Sequence, residues 1–174
     1  MIETSRLILR PWRESDLKPF AEMNADPEVC EFLPCRLSEA ESNEFARRIM
    51  AKFEEQGFGW FALELKQDNR FIGFAGLNRP SFEAPFMPAV EIGWRLSREH
   101  WGRGYATEAG QAAMEFGFGK LGLKEIVSFT VADNLRSRAV MERLGMTHYP
   151  DEDFDHPSLP EGHRLRKHVL YRSI

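Results

Sequence analysis

Two glycines separated by one residue, Gly102 and Gly104, stand where a strand-like sequence changes to a helical one. Backbone N–H groups at a helix start have no intrahelical partner, and glycine lets the chain adopt positive φ and approach a ligand closely. The helix dipole adds partial positive charge, and Arg98 and Arg103 add two full charges. The pattern favours a phosphate or pyrophosphate ligand, although a tight turn with solvated arginines would explain it equally well.

Two common nucleotide motifs can be compared with this glycine turn. A P-loop requires Lys and Ser or Thr after its last glycine, whereas Tyr105 and Ala106 follow here. A Rossmann fingerprint requires a third glycine where Thr107 stands and an acid at the end of the next strand, whereas Glu125 stands at that strand's beginning. The P-loop is excluded, and a nucleotide-binding oxidoreductase is a weak alternative.

The elements before the turn are predicted from local signals. Residues 4–10 form a strand-like run, and Ser15 is predicted to cap a helix over residues 16–23. Ser38 and the glutamate three residues later form a capping box for a second helix, which ends at Gly57. Two further runs, residues 60–66 and 71–78, are joined by four polar residues and should pair as an antiparallel hairpin.

The elements around and after the turn define the fold class. The prediction is a strand at 89–96, a helix after the glycines, a strand at 125–131, a short helix at 135–144 and a strand at 168–171. The strand–helix–strand unit from 89 to 131 is a right-handed crossover, so its two strands should be parallel neighbours. We therefore predict an α+β (mixed α/β) fold with helices on a mixed sheet.

The composition of the 174 residues is that of a folded protein, with 43% hydrophobic and 29% charged residues, and the length predicts a single domain over residues 1–174. With 27 acidic against 23 basic residues and a net charge of -4, nucleic acid is not expected as a partner. No apolar stretch approaches the roughly 18 residues of a membrane span, and the charged N-terminus lacks a signal-peptide core. We expect no membrane association and a cytoplasmic location.

Cysteine and histidine spacing gives no metal motif. Cys30 and Cys35 are too few for a disulfide framework and lack the paired partners of a zinc site, so both should be reduced. The five histidines have no His-Glu-x-x-His spacing, and His156 and His163 are interpreted as loop residues. No metal is expected.

The segments AVEIGWRL, HWGRGYATEA and VADNLRSRAVMERLGM follow one another from residue 89 to 146, after the opening ETSRLILRPW. In this order they resemble the GNAT superfamily of acetyl-CoA-dependent N-acetyltransferases, and in particular the branch that acetylates ribosomal-protein N-termini. The resemblance implies a splayed central sheet with helices on both faces and acetyl-CoA between the strands at 89–96 and 125–131. The cofactor-binding residues that it implies are Trp94, Arg95, Leu96, Arg98, Gly102, Arg103, Gly104, Tyr105, Ala106, Thr107, Asn134 and Ser137.

The chain departs from the superfamily pattern in two places. Trp101 stands where the phosphate loop usually begins with Gln or Arg, so phosphate binding should depend more on backbone N–H groups. Met141 stands where many members carry a tyrosine that protonates the departing thiolate. Ser137 is the nearest hydroxyl in the matching segment and resembles the residue that hydrogen-bonds the thiolate in this branch, unless it only caps the helix.

Acetyl transfer to an amine requires a neutral nitrogen, whereas α-amines and lysines have pKa values of about 7.7 and 10.4. Glu91, in the alternating strand beside the implied cofactor, is the candidate base; the alternatives are a solvent-facing strand residue and a water chain. Glu108, in the first turn of its helix, is interpreted as structural. Asn134 should both cap the last helix and contact the cofactor.

The expected acceptor is a primary amine, either a protein N-terminus or a small molecule. Residues 150–162 are interpreted as a long functional loop, and four acids within residues 151–155 could attract a cationic amine. The alternative function is a non-catalytic acyl-CoA sensor or partner-binding module. The expected oligomeric state is a monomer or homodimer.

Overall fold

A computed structural model describes residues 1–174 as one nine-stranded sheet with four α-helices. The strands are β1 (Ile2–Glu3), β2 (Leu7–Arg10), β3 (Trp60–Leu65), β4 (Phe71–Asn78), β5 (Glu91–Leu96), β6 (Ile126–Val131), β7 (Thr147–His148), β8 (Phe154–Asp155) and β9 (Lys167–Ser173). The helices are α1 (Leu17–Ala25), α2 (Glu39–Gln56), α3 (Tyr105–Gly119) and α4 (Leu135–Arg143). None of the helices combines the length and apolar character that crossing a bilayer requires.

The sheet has one parallel pair, and it lies at the centre. The strand order is β1-β2-β3-β4-β5-β6-β9-β7, with β8 paired to β9, and every pairing except β5–β6 is antiparallel. β5 and β6 pair only at their starts, where Glu91 lies opposite Val127. The predicted mixed sheet and the parallel crossover are confirmed, and the second halves of β5 and β6 do not pair with each other. We call the space between those halves the opening.

The two faces of the sheet carry different helices because the strand residues alternate. Ile92 faces the core that contains Ala113 of α3 and Met141 of α4. Residues from the opposite face, such as Phe74, pack with Phe20 of α1 and Ile49 of α2. Helices therefore cover both faces, as the resemblance implies.

The start of α1 differs from the prediction. Ser15 does not cap it, because a single 3-10 turn over Glu14–Asp16 leads into the helix and Asp16 is its N-cap residue. The Asp16 carboxylate accepts hydrogen bonds from the Arg10 guanidinium at 2.7 and 2.8 Å, and both side chains are almost fully buried. This buried ion pair, which local capping rules do not describe, sets the helix start.

The predicted boundaries of α2 are confirmed. The Ser38 hydroxyl accepts a hydrogen bond from the backbone N–H of Glu41, and the Glu41 carboxylate accepts one from the backbone N–H of Ser38. Gly57 ends the helix in a left-handed conformation with φ of 72°. Both ends are fixed by residues next to the helix in sequence, which is why local patterns predict them.

Candidate active site

The glycine turn lies directly before α3 and presents unpaired donors. Gly102 and Gly104 have φ of 70° and 79°, a region that side chains rarely adopt. The backbone N–H groups of residues 102–107 donate to no acceptor within the chain. A cluster of free N–H groups at a helix start suits an anion, so the turn fits a pyrophosphate as the sequence predicts.

An N-terminal clamp, made by Thr4 and Arg6, holds this turn. The Glu108 carboxylate accepts hydrogen bonds from the Thr4 hydroxyl at 2.6 Å and from the Arg6 backbone N–H at 2.9 Å. Arg6 Nη1 donates to the carbonyl of Arg103 at 2.9 Å, and the guanidinium lies 4.5 Å from the centre of the Tyr105 ring. Glu108 is thus structural, as interpreted, but the clamp itself joins residues about a hundred positions apart and has no local sequence signal.

The three arginines among the predicted cofactor residues lie in different surroundings. Arg103 is exposed and makes no ion pair, so its charge is available at the turn. Arg98 instead pairs with Glu28 and lies 3.7 Å from Asp26. Its charge is partly neutralised, and its contact with a phosphate stays a prediction.

Arg95 lies on the α1 and α2 face, away from α3. Its Nη1 donates to Asn24 Oδ1 at 2.6 Å, and burial lowers its pKa to about 10. Trp94 and Leu96 point to the other face, into the core beneath α3. Contacts of acetyl-CoA with residues 94–96 would therefore use the strand backbone, and they stay predictions.

Glu91 is partly buried at the start of β5. Asn78, its cross-strand partner on β4, donates from Nδ2 to Glu91 Oε1 at 2.7 Å, and the second carboxylate oxygen has no partner in the chain. Burial raises the pKa of Glu91 to about 7, against the smaller opposing effects of the Asn78 hydrogen bond and the Lys52 charge. This environment does not match a solvent-facing strand residue; it matches a group that can exchange a proton near neutral pH.

A cavity of about 470 Å³ opens beside Glu91, between α2, the start of β3 and the loop over residues 79–88; we call it the Glu91 cavity. Five aromatic side chains form its apolar walls: Phe45, Phe58, Trp60, Phe82 and Phe129. Since Phe129 belongs to β6 and Glu91 to β5, the cavity meets the sheet at the base of the opening. A larger and more open hollow of about 620 Å³ lies beyond the same loop, but neither Glu91 nor the glycine turn lines it.

The start of α4 separates the roles of Asn134 and Ser137. Asn134 Oδ1 accepts a hydrogen bond from the backbone N–H of Ser137 at 3.2 Å, and its Nδ2 donates to the Thr130 hydroxyl at 3.0 Å. Asn134 is the cap, so the alternative in which the Ser137 side chain caps the helix is wrong. The Ser137 hydroxyl makes no hydrogen bond in the chain and is free to donate. Met141 is fully buried in the core and takes no part in the site.

Two features of the site escape the sequence interpretation. Arg136 of α4 lies 4.4 Å from the centre of the Trp101 ring and donates to Glu31 at 2.8 Å, which links α4, the glycine turn and the α1–α2 connection. His156, interpreted as a loop residue, lines the Glu91 cavity with its ring 4.5 Å from that of Phe82. Neither contact has a sequence signal, because each joins separate elements.

The acidic loop is largely paired within the chain. Glu152 pairs with Arg172, and Asp155 pairs with Arg166. Asp153 accepts a hydrogen bond from the backbone N–H of Leu170 and lies 2.9 Å from a His148 ring nitrogen. The hint that this loop attracts a cationic amine is therefore weakened. No group of three or more His, Cys, Asp or Glu side chains is arranged to hold a metal ion.

Comparison with known proteins gives consistent matches. The family model described as an acetyltransferase (GNAT) domain matches residues 6–147. The chain is 30% identical over 173 residues to the FsC-acetyl coenzyme A-N(2)-transacetylase of Aspergillus fumigatus, covering 92% of this chain and 72% of that protein.

Two solved structures are similar to the whole chain. An acetyltransferase (GNAT family) from Bacillus anthracis superposes with a TM-score of 0.82 at 25% identity, covering 99% of this chain and 97% of that one. The ribosomal alpha-N-protein acetyltransferase RimL, in complex with coenzyme A, gives 0.77 at 19% identity over 98% and 95% of the two chains. At that identity the second likeness shows the fold alone.

Proposed function

Because the chain belongs to the GNAT acetyltransferases and is an acyltransferase, we propose that it moves the acetyl group of acetyl-CoA to a primary amine seated in the Glu91 cavity. The observation that supports this most is the Glu91 carboxylate. It is partly buried, has one unpaired oxygen, and lies where the cavity meets the opening between β5 and β6. The reaction is direct attack within a ternary complex.

The chemistry needs one proton removed before attack. An ammonium group gives a proton to ionised Glu91, and the neutral nitrogen then attacks the thioester carbonyl carbon. The C–S bond breaks, the second nitrogen proton is lost to solvent or to the leaving thiolate, and an amide and free CoA remain. With a thiol pKa of about 8.5, the thiolate needs little more than a hydrogen bond, which the free Ser137 hydroxyl can donate.

Acetyl-CoA fits the residues of the glycine turn. The free N–H groups of residues 102–107 and the unpaired Arg103 would hold its pyrophosphate, and the clamp from Arg6 would keep the turn in shape. The RimL structure, which has the same fold, contains coenzyme A. No metal ion is needed in this scheme.

Our proposal for the acceptor follows the prediction made from the sequence. We propose either a protein or peptide N-terminal α-amine or a small amine; the printed names of relatives include an alpha-N-protein acetyltransferase and an N(2)-transacetylase of FsC. Cytoplasmic location, one domain over residues 1–174 and a monomeric or homodimeric state stay predictions.

A melting experiment tests the cofactor. Acetyl-CoA at 100 times its Kd should stabilise the folded protein by about 2.7 kcal/mol, whereas NADH should have no effect. No shift at millimolar acetyl-CoA would refute the assignment. Release of free CoA with a panel of peptide N-termini, lysine peptides, polyamines and amino acids then tests turnover. Binding of acetyl-CoA without turnover on any amine would favour the non-catalytic sensor.

A further inference from the structure

The mouth of the Glu91 cavity is cationic. Lys52 and Arg48, one turn apart on α2, both line it, and Glu91 is the only acid among the lining residues. Lys52 makes no ion pair in the chain and lies close enough to lower the pKa of Glu91. Arg48 lies 3.3 Å from Glu44, but both side chains are about two-thirds exposed, so this pair neutralises its charge weakly.

The wall of the cavity also carries an unused hydrogen-bond donor. The Nε1 atom of Trp60 is buried and has no partner. This nitrogen lies beside Gly93 of β5, two positions after Glu91. A Cβ atom added to Gly93 would be 3.5 Å from it. An indole N–H can only donate, and an unmet buried donor is costly, so it suits an oxygen atom of the acceptor.

These features select against a polycationic acceptor. Such an amine would leave a second ammonium group near Lys52 and Arg48, without a counter-charge, because the nearest acidic loop is paired internally. A carboxylate on the acceptor would instead meet two cations and the Trp60 N–H. The aromatic walls suit an apolar body, and about 470 Å³ is within the range of pockets for small ligands.

We infer that the acceptor is a small anionic primary amine with an apolar body, of the class represented by aromatic α-amino acids. Its amine lies at Glu91, its ring lies among the aromatic walls, and its carboxylate lies toward Lys52 and the Trp60 N–H. This inference rests on the proposed acetyl transfer and specifies its acceptor.

The test compares acceptors that differ in one group. With saturating acetyl-CoA, release of CoA is measured for L-phenylalanine, L-phenylalaninamide, spermidine and a peptide that begins with phenylalanine. We expect kcat/KM for phenylalanine to exceed that for the amide at least tenfold, with spermidine and the peptide lower still. Phenylalaninamide has the less basic and therefore more often neutral amine, so a preference for the carboxylate cannot come from amine ionisation.

Variants connect the preference to the residues. Lys52→Met should reduce the phenylalanine-to-amide ratio at least fivefold, and Trp60→Phe, which keeps a ring but removes the N–H, should raise KM for phenylalanine more than it lowers kcat. Arg47→Met is the matched control, since Arg47 is exposed on the same helix and does not line the cavity; it should leave the ratio unchanged.

Either of two substrate results would overturn the inference while acetyl transfer stands: equal kcat/KM for phenylalanine and its amide, or a higher kcat/KM for spermidine or the peptide than for phenylalanine. A preference that survives Lys52→Met would also overturn it. If no amine is acetylated and acetyl-CoA does not bind, the proposed function fails as well, so the two failures are distinguishable.

Discussion

Replacing Glu91 by Gln tests the base directly, because the amide keeps the shape of the side chain and can still accept the hydrogen bond from Asn78. General bases contribute about 10² to 10⁴ in rate, so the variant should lose turnover by that factor near neutral pH. Acetyl-CoA affinity should barely change, because Glu91 lies outside the glycine turn.

The pH dependence follows from a pKa of about 7 for Glu91. About a tenth of the carboxylate is ionised at pH 6 and about nine-tenths at pH 8, so wild-type kcat/KM should rise through neutrality. For the Gln variant, kcat/KM should rise with pH only because the substrate amine loses its proton. The difference between the two enzymes should therefore be largest just above pH 7 and should shrink as the amine itself becomes neutral.

Stability should change in the opposite direction from activity. Burial raises the pKa of Glu91 from 4.5 to about 7, so between these pH values the folded protein keeps a proton that the unfolded chain loses. The free energy of unfolding falls across this window, by about 3 kcal/mol as an upper bound. Glu91→Gln removes the cost of ionising this carboxylate in the folded protein, so the variant should be more stable than wild type at pH 8. Near pH 4.5 the two proteins should be equally stable.

The assays are CoA release from pH 5.5 to 9 and urea unfolding at pH 4.5 and pH 8. Glu22→Gln, at an exposed position of α1, is the matched control for losing one carboxylate. Wild-type turnover of Glu91→Gln at neutral pH would refute the base and leave ordered water or the neutral fraction of the amine as the explanation. Equal stability of variant and wild type at pH 8 would contradict the burial argument.

Three more predictions concern the cofactor side of the site. Gly104→Val should abolish the stabilisation by acetyl-CoA, because valine disfavours a φ of 79°; Gly122→Val, with a similar backbone strain at φ of 64° but outside the turn, should keep it in melting curves. Ser137→Ala should lower kcat about ten- to a hundredfold at saturating acetyl-CoA by removing one hydrogen bond to a developing charge, and a wild-type rate of CoA release would exclude that role. Arg6→Met should raise the Kd of acetyl-CoA about tenfold by calorimetry, since the carbonyl of Arg103 loses its donor; an unchanged Kd would mean that the clamp does not shape the turn.

The parts of the fold that the sequence predicts are those with local causes. The capping box at Ser38 and the stop at Gly57 bound α2, and the glycines mark where α3 begins. The start of α1 was not predictable, because Asp16 is held by Arg10 in a buried pair that depends on packing. The same holds for the clamp at Glu108, whose partners lie about a hundred residues away.

The sequence predicts which residues are candidates for the site, but it does not predict which side chains surround them. Alternation in β5 indicates that Glu91 lies opposite Ile92, yet it does not say which helix covers its face. Only the packing of α2 over β3 brings Lys52 and Trp60, with its unpaired N–H, to the cavity that this carboxylate lines. The charge and polarity from which we infer the acceptor therefore come from elements far from the glycine motif in sequence.

The register of β5 couples the proposed base, Glu91, to the opening between β5 and β6. Glu91 pairs with Asn78 on one side and with Val127 on the other, and this last contact is also where β5 and β6 stop pairing. A shift of one residue would turn Glu91 toward α3 and expose a different set of backbone groups to the opening. The antiparallel pairing with β4 prevents this, because six consecutive pairs from Gly73 to Asn78 hold β5 in place. The position of Glu91 and the position of the opening are thus set by the same strand register, and neither can move without the other.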